Sequence, residues 1–173
     1  MLGWYFATEE RKLQHRDDRE IVVGGSHSIK GTPILCVRGL HASKTLLQAL
    51  NYAPGPVLYR VDITRHIVEG ADKFCGQRRK YLRGGYDISP VLRQFARDCA
   101  ISVAHLWDVP EIVREYLVSG DETLRSAAES AAWASVRSAA ESAAWASAES
   151  AGESAYNTNL EALVLKYWEE QEN

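Results

Sequence analysis

Five histidines carry most of this chain's capacity for acid–base or metal chemistry, and their spacing decides which kind is open to it. His15, His27, His41, His66 and His105 are scattered, with no HxxxH or HExxH pair, so no two share the face of one helix on which a zinc ion is held. No motif asks for a cofactor: GxGxxG, a phosphate-cradling P-loop and the GxSxG nucleophile elbow are all missing from the sequence. The pairs Gly24-Gly25 and Gly84-Gly85 read as turns. His41 stands apart. It follows a short apolar run, Pro33 to Val37, and precedes Ser43, which can cap a helix. Side chains at such a junction often point into a cleft, so His41 reads either as a hydrogen-bonded structural histidine or as a ligand contact.

Arg78, Arg79, Lys80 and Arg83 gather around Tyr81. Basic residues with an interleaved aromatic are what contacts to phosphate or nucleic acid need, and a charged strand edge protected against pairing explains the cluster equally well. The three cysteines, Cys36, Cys75 and Cys99, form no CxxC pair. An odd number argues against a disulfide scaffold, so mostly buried, reduced thiols are expected.

The elements that must position these residues change character along the chain. Gly3 to Phe6 and Glu20 to Val23 read as two early strands, and Pro33 to Val37 as a short buried one. Ser43 opens a short helix with Leu46, Leu47 and Leu50 on one face, stopped by Pro54-Gly55-Pro56. Val57, Tyr59, Val61 and Ile63 then alternate with Leu58, Arg60 and Asp62, the clearest strand period in the sequence. Two more strands are expected at His66 to Glu69 and Gln77 to Leu82. From Ser89-Pro90 the period becomes helical, with Leu92, Phe95, Cys99, Val103 and Leu106 recurring over about four turns. Asp108 with Glu111 forms a capping box, stapled by Trp107 against Ile112, for a second helix ending near Val118. We therefore expect an α+β head over residues 1–118, with a small, mostly antiparallel sheet, and a helical segment over residues 119–173.

That segment is built on a four-residue repeat. From Ser126 it reads SAAE SAAW ASVR SAAE SAAW ASAE SAGE SAYN, a long Ala/Ser-rich helix opened by the capping pair Ser119 and Glu122. Because a helix advances about 100° per residue, a period of four drifts by about 40° per unit, so the large side chains wind around the axis. Trp133, Arg137 and Trp145 are thus presented to different sides, as contacts for a partner or for a second copy of the chain. A break is expected near Gly152 or at Asn157 to Asn159, after which Leu160, Leu163, Val164, Tyr167 and Trp168 form a docking face that returns onto the earlier helices.

Charge divides with the two regions. Residues 1–119 carry 17 Lys+Arg against 13 Asp+Glu, and residues 120–173 carry 3 against 10. A basic head thus meets an acidic tail, whose carboxylates are spaced through alanine as on a solvated helix rather than clustered. No stretch of eighteen apolar residues occurs, so no membrane span is expected.

The residues RGLHAS around His41, the stretch ALNYAPGPVLYRVDI and the stretch IVEGADKF resemble a family of small phage and prophage proteins of unknown function, as do the opening GWYF and the Ala/Trp-rich tail. That resemblance implies a non-enzymatic binding protein of the host cytosol, an inhibitor of a host factor or defence system such as a counter-CRISPR protein, with a host protein as partner. A second resemblance is to ADP-ribosyltransferase-like domains, in which a strand, a helix like SKTLLQALNY, a strand like VLYRVDI and an acidic segment like IVEGAD follow in this order. It implies a cleft that handles a nucleotide or NAD, as an enzyme or as a sponge, with His41, Tyr52 or Tyr59, and Glu69 as its candidates. A structural or assembly protein is the third possibility.

Overall fold

The computed structural model describes residues 1–15, 17–139 and 149–172, without the side chains of 133–155. It is α+β, with every strand pair antiparallel. Two compact units divide it: Met1–Ser89 with Leu160–Asn173, and Pro90–Asn159. The boundary expected at residue 118 is thus replaced by one at Ser89, and the end of the chain belongs with its beginning.

In the first unit, β1 (Leu2–Ala7), β4 (Val57–Thr64), β7 (Arg78–Asp87) and β2 (Ser26–Ser28) form a sheet in the order β1-β4-β7-β2. A second sheet runs β3-β6-β5, from β3 (Leu40–Ala42), β6 (Phe74–Gly76) and β5 (Val68–Glu69). β4 is where its alternation puts it, with Val57, Tyr59, Val61 and Ile63 buried. These pack with Tyr81, Phe74, Leu40, Ala42, Leu13 and Ile21 into one core, each such aliphatic side chain contributing about 1.5–3 kcal/mol by leaving water. The opposite face of β4 is covered too, since Leu58 is wholly buried.

Two of the expected strands are turns. The Gly25 amide bonds back to the Val22 carbonyl at 3.0 Å, leaving Val22 and Val23 exposed and only Ile21 in the core. The Val37 and Arg38 amides both return to the Ile34 carbonyl, and Cys36 takes a φ of +64°, a left-handed conformation that no strand continues through. The strand forms instead just after, at β3. Ser43 caps nothing; its backbone exchanges hydrogen bonds with Trp4 at 2.9 and 3.0 Å and so ties β3 to β1. The cap of α1 (Leu46–Leu50) is Thr45, which with Gln48 completes a capping box.

The Gly84-Gly85 pair also differs from its sequence reading, lying inside β7 rather than at a turn. Leu58 pairs with Tyr86 and Tyr59 with Gly84, so two β7 residues answer one β4 step in a bulge. Both glycines have positive φ.

The last helix, α5 (Glu149–Glu172), continues through Gly152 and Asn157 to Asn159 without the expected break. One helical glycine costs only about 1 kcal/mol relative to alanine, and the residues around it are helix formers. Leu160, Val164 and Trp168, at i, i+4 and i+8, are all buried, as the docking face predicts. At the sheet, Trp168 packs on Trp4 of β1, and Glu172 accepts two 2.9 Å bonds from Arg83 of β7.

In the second unit, α2 (Ser89–Val103) starts where Asp87 accepts from the Ser89 amide at 2.7 Å. Its predicted face is shallow: Leu92, Phe95 and Cys99 are only partly buried, Val103 stays exposed, as does Leu106 in the 3-10 turn beyond it, and the buried residue of α2 is Val91, which the expected face does not include. Pro110, without a side-chain hydrogen bond, precedes α3 (Glu111–Ser119) in place of the expected Asp108 cap. Trp107 and Ile112 nevertheless pack beside Val109, Val113 and Ala128. Gly120, at φ +66°, closes α3, and the next turn is capped by Asp121. That turn leads into α4 (Arg125–Ala139), which takes in the first units of the repeat. Trp145 lies outside the described residues, as do the side chains of Trp133 and Arg137 on α4. Among the described residues no helix is long and apolar enough to cross a membrane.

Candidate functional site

A cleft of about 780 Å³ opens in the first unit, where β3 and β7 meet the loops after β1 and before β3. That volume lies in the range that takes a drug- or cofactor-sized molecule. β3 contributes His41, the left-handed turn before it Cys36, the end of α1 Tyr52, the turn before β6 Lys73, and β7 Arg79.

His41 is held on both sides of its ring. Its Nε2 accepts the Cys36 amide at 3.2 Å, and the Gly39 carbonyl bonds the ring as well, which assigns the proton to Nδ1. Burial lowers its pKa first, helped by Lys73 and Arg79, against the Gly39 bond. A neutral, oriented imidazole results. At the rim, the Lys73 ammonium lies 3.9 Å from the centre of the Tyr52 ring, and the Tyr52 hydroxyl donates to Asp72.

Arg79 forms the floor. It is buried, donates Nε to the Tyr81 hydroxyl at 3.0 Å and Nη1 to the His41 carbonyl at 2.8 Å, and stacks 3.5 Å from the Tyr5 ring centre. Tyr81 in turn bonds His27 Nδ1 at 2.9 Å. Burial, then Arg19 and Arg79, hold His27 below the ordinary histidine range.

The structure brings His41 and Tyr52 together but not the other two candidates. Tyr59 is 1% exposed and packed between Tyr5 and Tyr81 in the core, out of reach of a ligand. Glu69 is exposed and paired with Lys44 at 2.7 Å. In the β3-β6-β5 ladder His41 stands in register with Cys75 and Val68, one row from Glu69, and successive side chains point to opposite faces of a sheet. The basic cluster is dispersed for the same reason: Arg79 turns inward with Tyr81, Arg78 bonds Ser26 at 3.2 Å, and Arg83 is engaged by Glu172. It is not one nucleic-acid patch. The inward place of Arg79 was visible in its spacing from Tyr81, whereas Cys36 and Lys73 carry no local signal and reach the cleft only through the turns that hold them.

Of the thiols, Cys75 is buried, and burial pushes its pKa up, while Cys36 is exposed at the cleft. Among the described residues no three His, Cys, Asp or Glu side chains gather as metal ligands would.

The two depressed histidines make stability depend on pH. Below about 6.5 the unfolded chain takes up protons that native His27 and His41 resist, so stability falls as pH drops from that value through their lower folded pKa values. Melting temperature should therefore decline on acidification before carboxylates titrate, and His27→Gln should flatten part of that decline. An unchanged slope in this variant would show that His27 is not responsible.

Comparison with family models, with curated proteins and with solved structures finds no match to this chain.

Proposed function

We propose that this is a binding protein of the phage type whose α+β unit holds a nucleotide-class small molecule in the His41 cleft, and so withholds it from a host defence system. The observation that carries the reading is the convergence of His41, Tyr52, Lys73 and Arg79 on one cavity of suitable size. Few oriented polar groups against aromatic walls are what such a ligand requires. Binding is favoured over turnover because Glu69, the acidic candidate, lies outside the cavity lining. Inhibition by contact with a host protein, or self-association, would draw on Trp133, Arg137 and Trp145, whose side chains lie outside the described residues.

Thermal shift and ligand mass, measured with NAD, ADP-ribose and cyclic and linear nucleotide signals, test the proposal. A ligand at about 100 times its Kd adds about 2.7 kcal/mol to the native state, a rise of several degrees for a protein of this size, with its mass unchanged. Tyr52→Ala, at a half-exposed position, should remove most of that rise without lowering the melting point of the free protein. Conversion of NAD would overturn the non-enzymatic reading, and no stabilisation by any of these compounds would overturn the cleft.

A further inference from the structure

Arg79 is a buried cation without an anion. Only 2% of its surface is exposed, yet the acceptors of its two protein hydrogen bonds, the Tyr81 hydroxyl and the His41 carbonyl, are neutral. Among the described residues no carboxylate forms an ion pair with it. The acid that lines the same cleft, Asp17, is held by Arg19 through bonds of 2.8 and 2.7 Å. The faces of Tyr5 and Tyr81, 3.5 and 5.2 Å from the guanidinium carbon, compensate a cation only in part.

A buried charge left in this condition is costly, and the neighbouring positions sharpen the point. Tyr81, two residues on and on the same face of β7, is a core residue, so an apolar side chain at 79 would fit the strand's pattern. A guanidinium has five N–H donors in a planar fork, and the two protein bonds leave donors over on a side chain that lines the cavity. The remaining charges of the lining, Arg38 and Lys73 against Asp17, add positive potential at the mouth.

We infer that the cleft is an anion receptor: its ligand carries a phosphate oxyanion, and the free edge of the Arg79 guanidinium receives it at the floor. This rests on the cleft being the binding site and adds the part of the ligand that is recognised and the residue that receives it. The fork geometry that suits phosphate is the reason for arginine here rather than lysine. His27 and Tyr81 act as positioning residues, since the Tyr81 hydroxyl fixes Nε and thereby the direction of the fork.

The test is calorimetric titration of the full chain with inorganic pyrophosphate, ADP-ribose and adenosine, at low and high salt, together with NMR of the Arg79 Nε–Hε signal, assigned in the unaltered protein by through-bond correlation along the side chain to the Arg79 backbone. Pyrophosphate and ADP-ribose should bind, adenosine at least about tenfold more weakly, with affinity falling as salt rises and the Arg79 signal moving on binding. Arg79→Lys should weaken pyrophosphate by about tenfold or more, while Arg78→Gln, on the outward face, should leave it unchanged. If Arg79→Lys fails to fold, the signal shift in the unaltered protein still decides the matter. Adenosine binding as tightly as ADP-ribose, with pyrophosphate silent, would overturn the receptor and leave the cleft standing. Silence from all three overturns both, and pyrophosphate binding with an unmoved Arg79 signal places the anion elsewhere and overturns the receptor.

Discussion

Trp168→Ala is expected to lower the unfolding free energy of the first unit by about 3–5 kcal/mol, a large part of what a domain of this size has to lose. The indole is 1% exposed, with its ring centre 5.8 Å from that of Trp4 and the Arg83 guanidinium carbon 5.3 Å away. Truncation removes the largest side chain that α5 places on the sheet and leaves the Trp4 ring facing a void. Trp168→Phe separates area from polarity. The indole Nε1 is buried without a hydrogen-bond partner among the described residues, a desolvated donor that costs about 1–3 kcal/mol. Phenylalanine keeps most of the apolar surface and discards that donor, so its loss should be under about 1.5 kcal/mol. Urea unfolding followed by circular dichroism would read both. Equal losses for the two variants would mean that packing area is not what holds the helix. A small loss in Trp168→Ala would mean that the end of α5 is not docked in solution.

The contrast between Trp168 and the repeat shows what the sequence can reveal. A docking face with period 3.6 is legible because the residues that touch the sheet must recur every turn, and Leu160, Val164 and Trp168 did so. β4 was legible for the analogous reason at period two. What was not legible depends on φ at single residues. Cys36 at +64° turns an apolar run into a loop, although nothing in PILCV distinguishes it from a strand. That same turn aims the Cys36 amide at His41. His41 is singled out by its place between a short apolar run and a helix start, but Arg79 is hidden among its basic neighbours, because charge ordinarily marks an exposed position. In a strand, position relative to a buried tyrosine is the better guide. Tyr59 and Glu69 rest on an order of elements resembling a known domain, and an order of elements does not fix which face of a sheet a side chain takes.

Among the described glycines, Gly84→Ala should be the most damaging change to alanine, costing about 3 kcal/mol or more. Two effects add. At φ +111° the backbone of residue 84 lies where L side chains are rarely found, and a Cβ there would sit 2.2 Å from the Leu58 carbonyl oxygen and 3.0 Å from the Tyr59 Cα. Those atoms belong to the backbone of β4, in the middle of the sheet, and cannot turn aside as a side-chain tip would. The bulge would have to open, taking with it the register that places Leu58 opposite Tyr86. Gly24→Ala supplies the control. Gly24 has a comparable φ of +86°, but nothing lies within 4 Å of its added Cβ, so only the conformational cost of about 1–2 kcal/mol applies. The difference between the two variants in chemical denaturation measures chiefly the collision, with the extra backbone cost of φ +111° over +86°, and should be at least about 1.5 kcal/mol. Equal losses would mean that β4 and β7 are not paired through the bulge. Because β7 also carries Arg79, five residues before the bulge, Gly84→Ala is further expected to weaken any ligand of the cleft, whereas Gly24→Ala, on the turn before β2, should weaken it less.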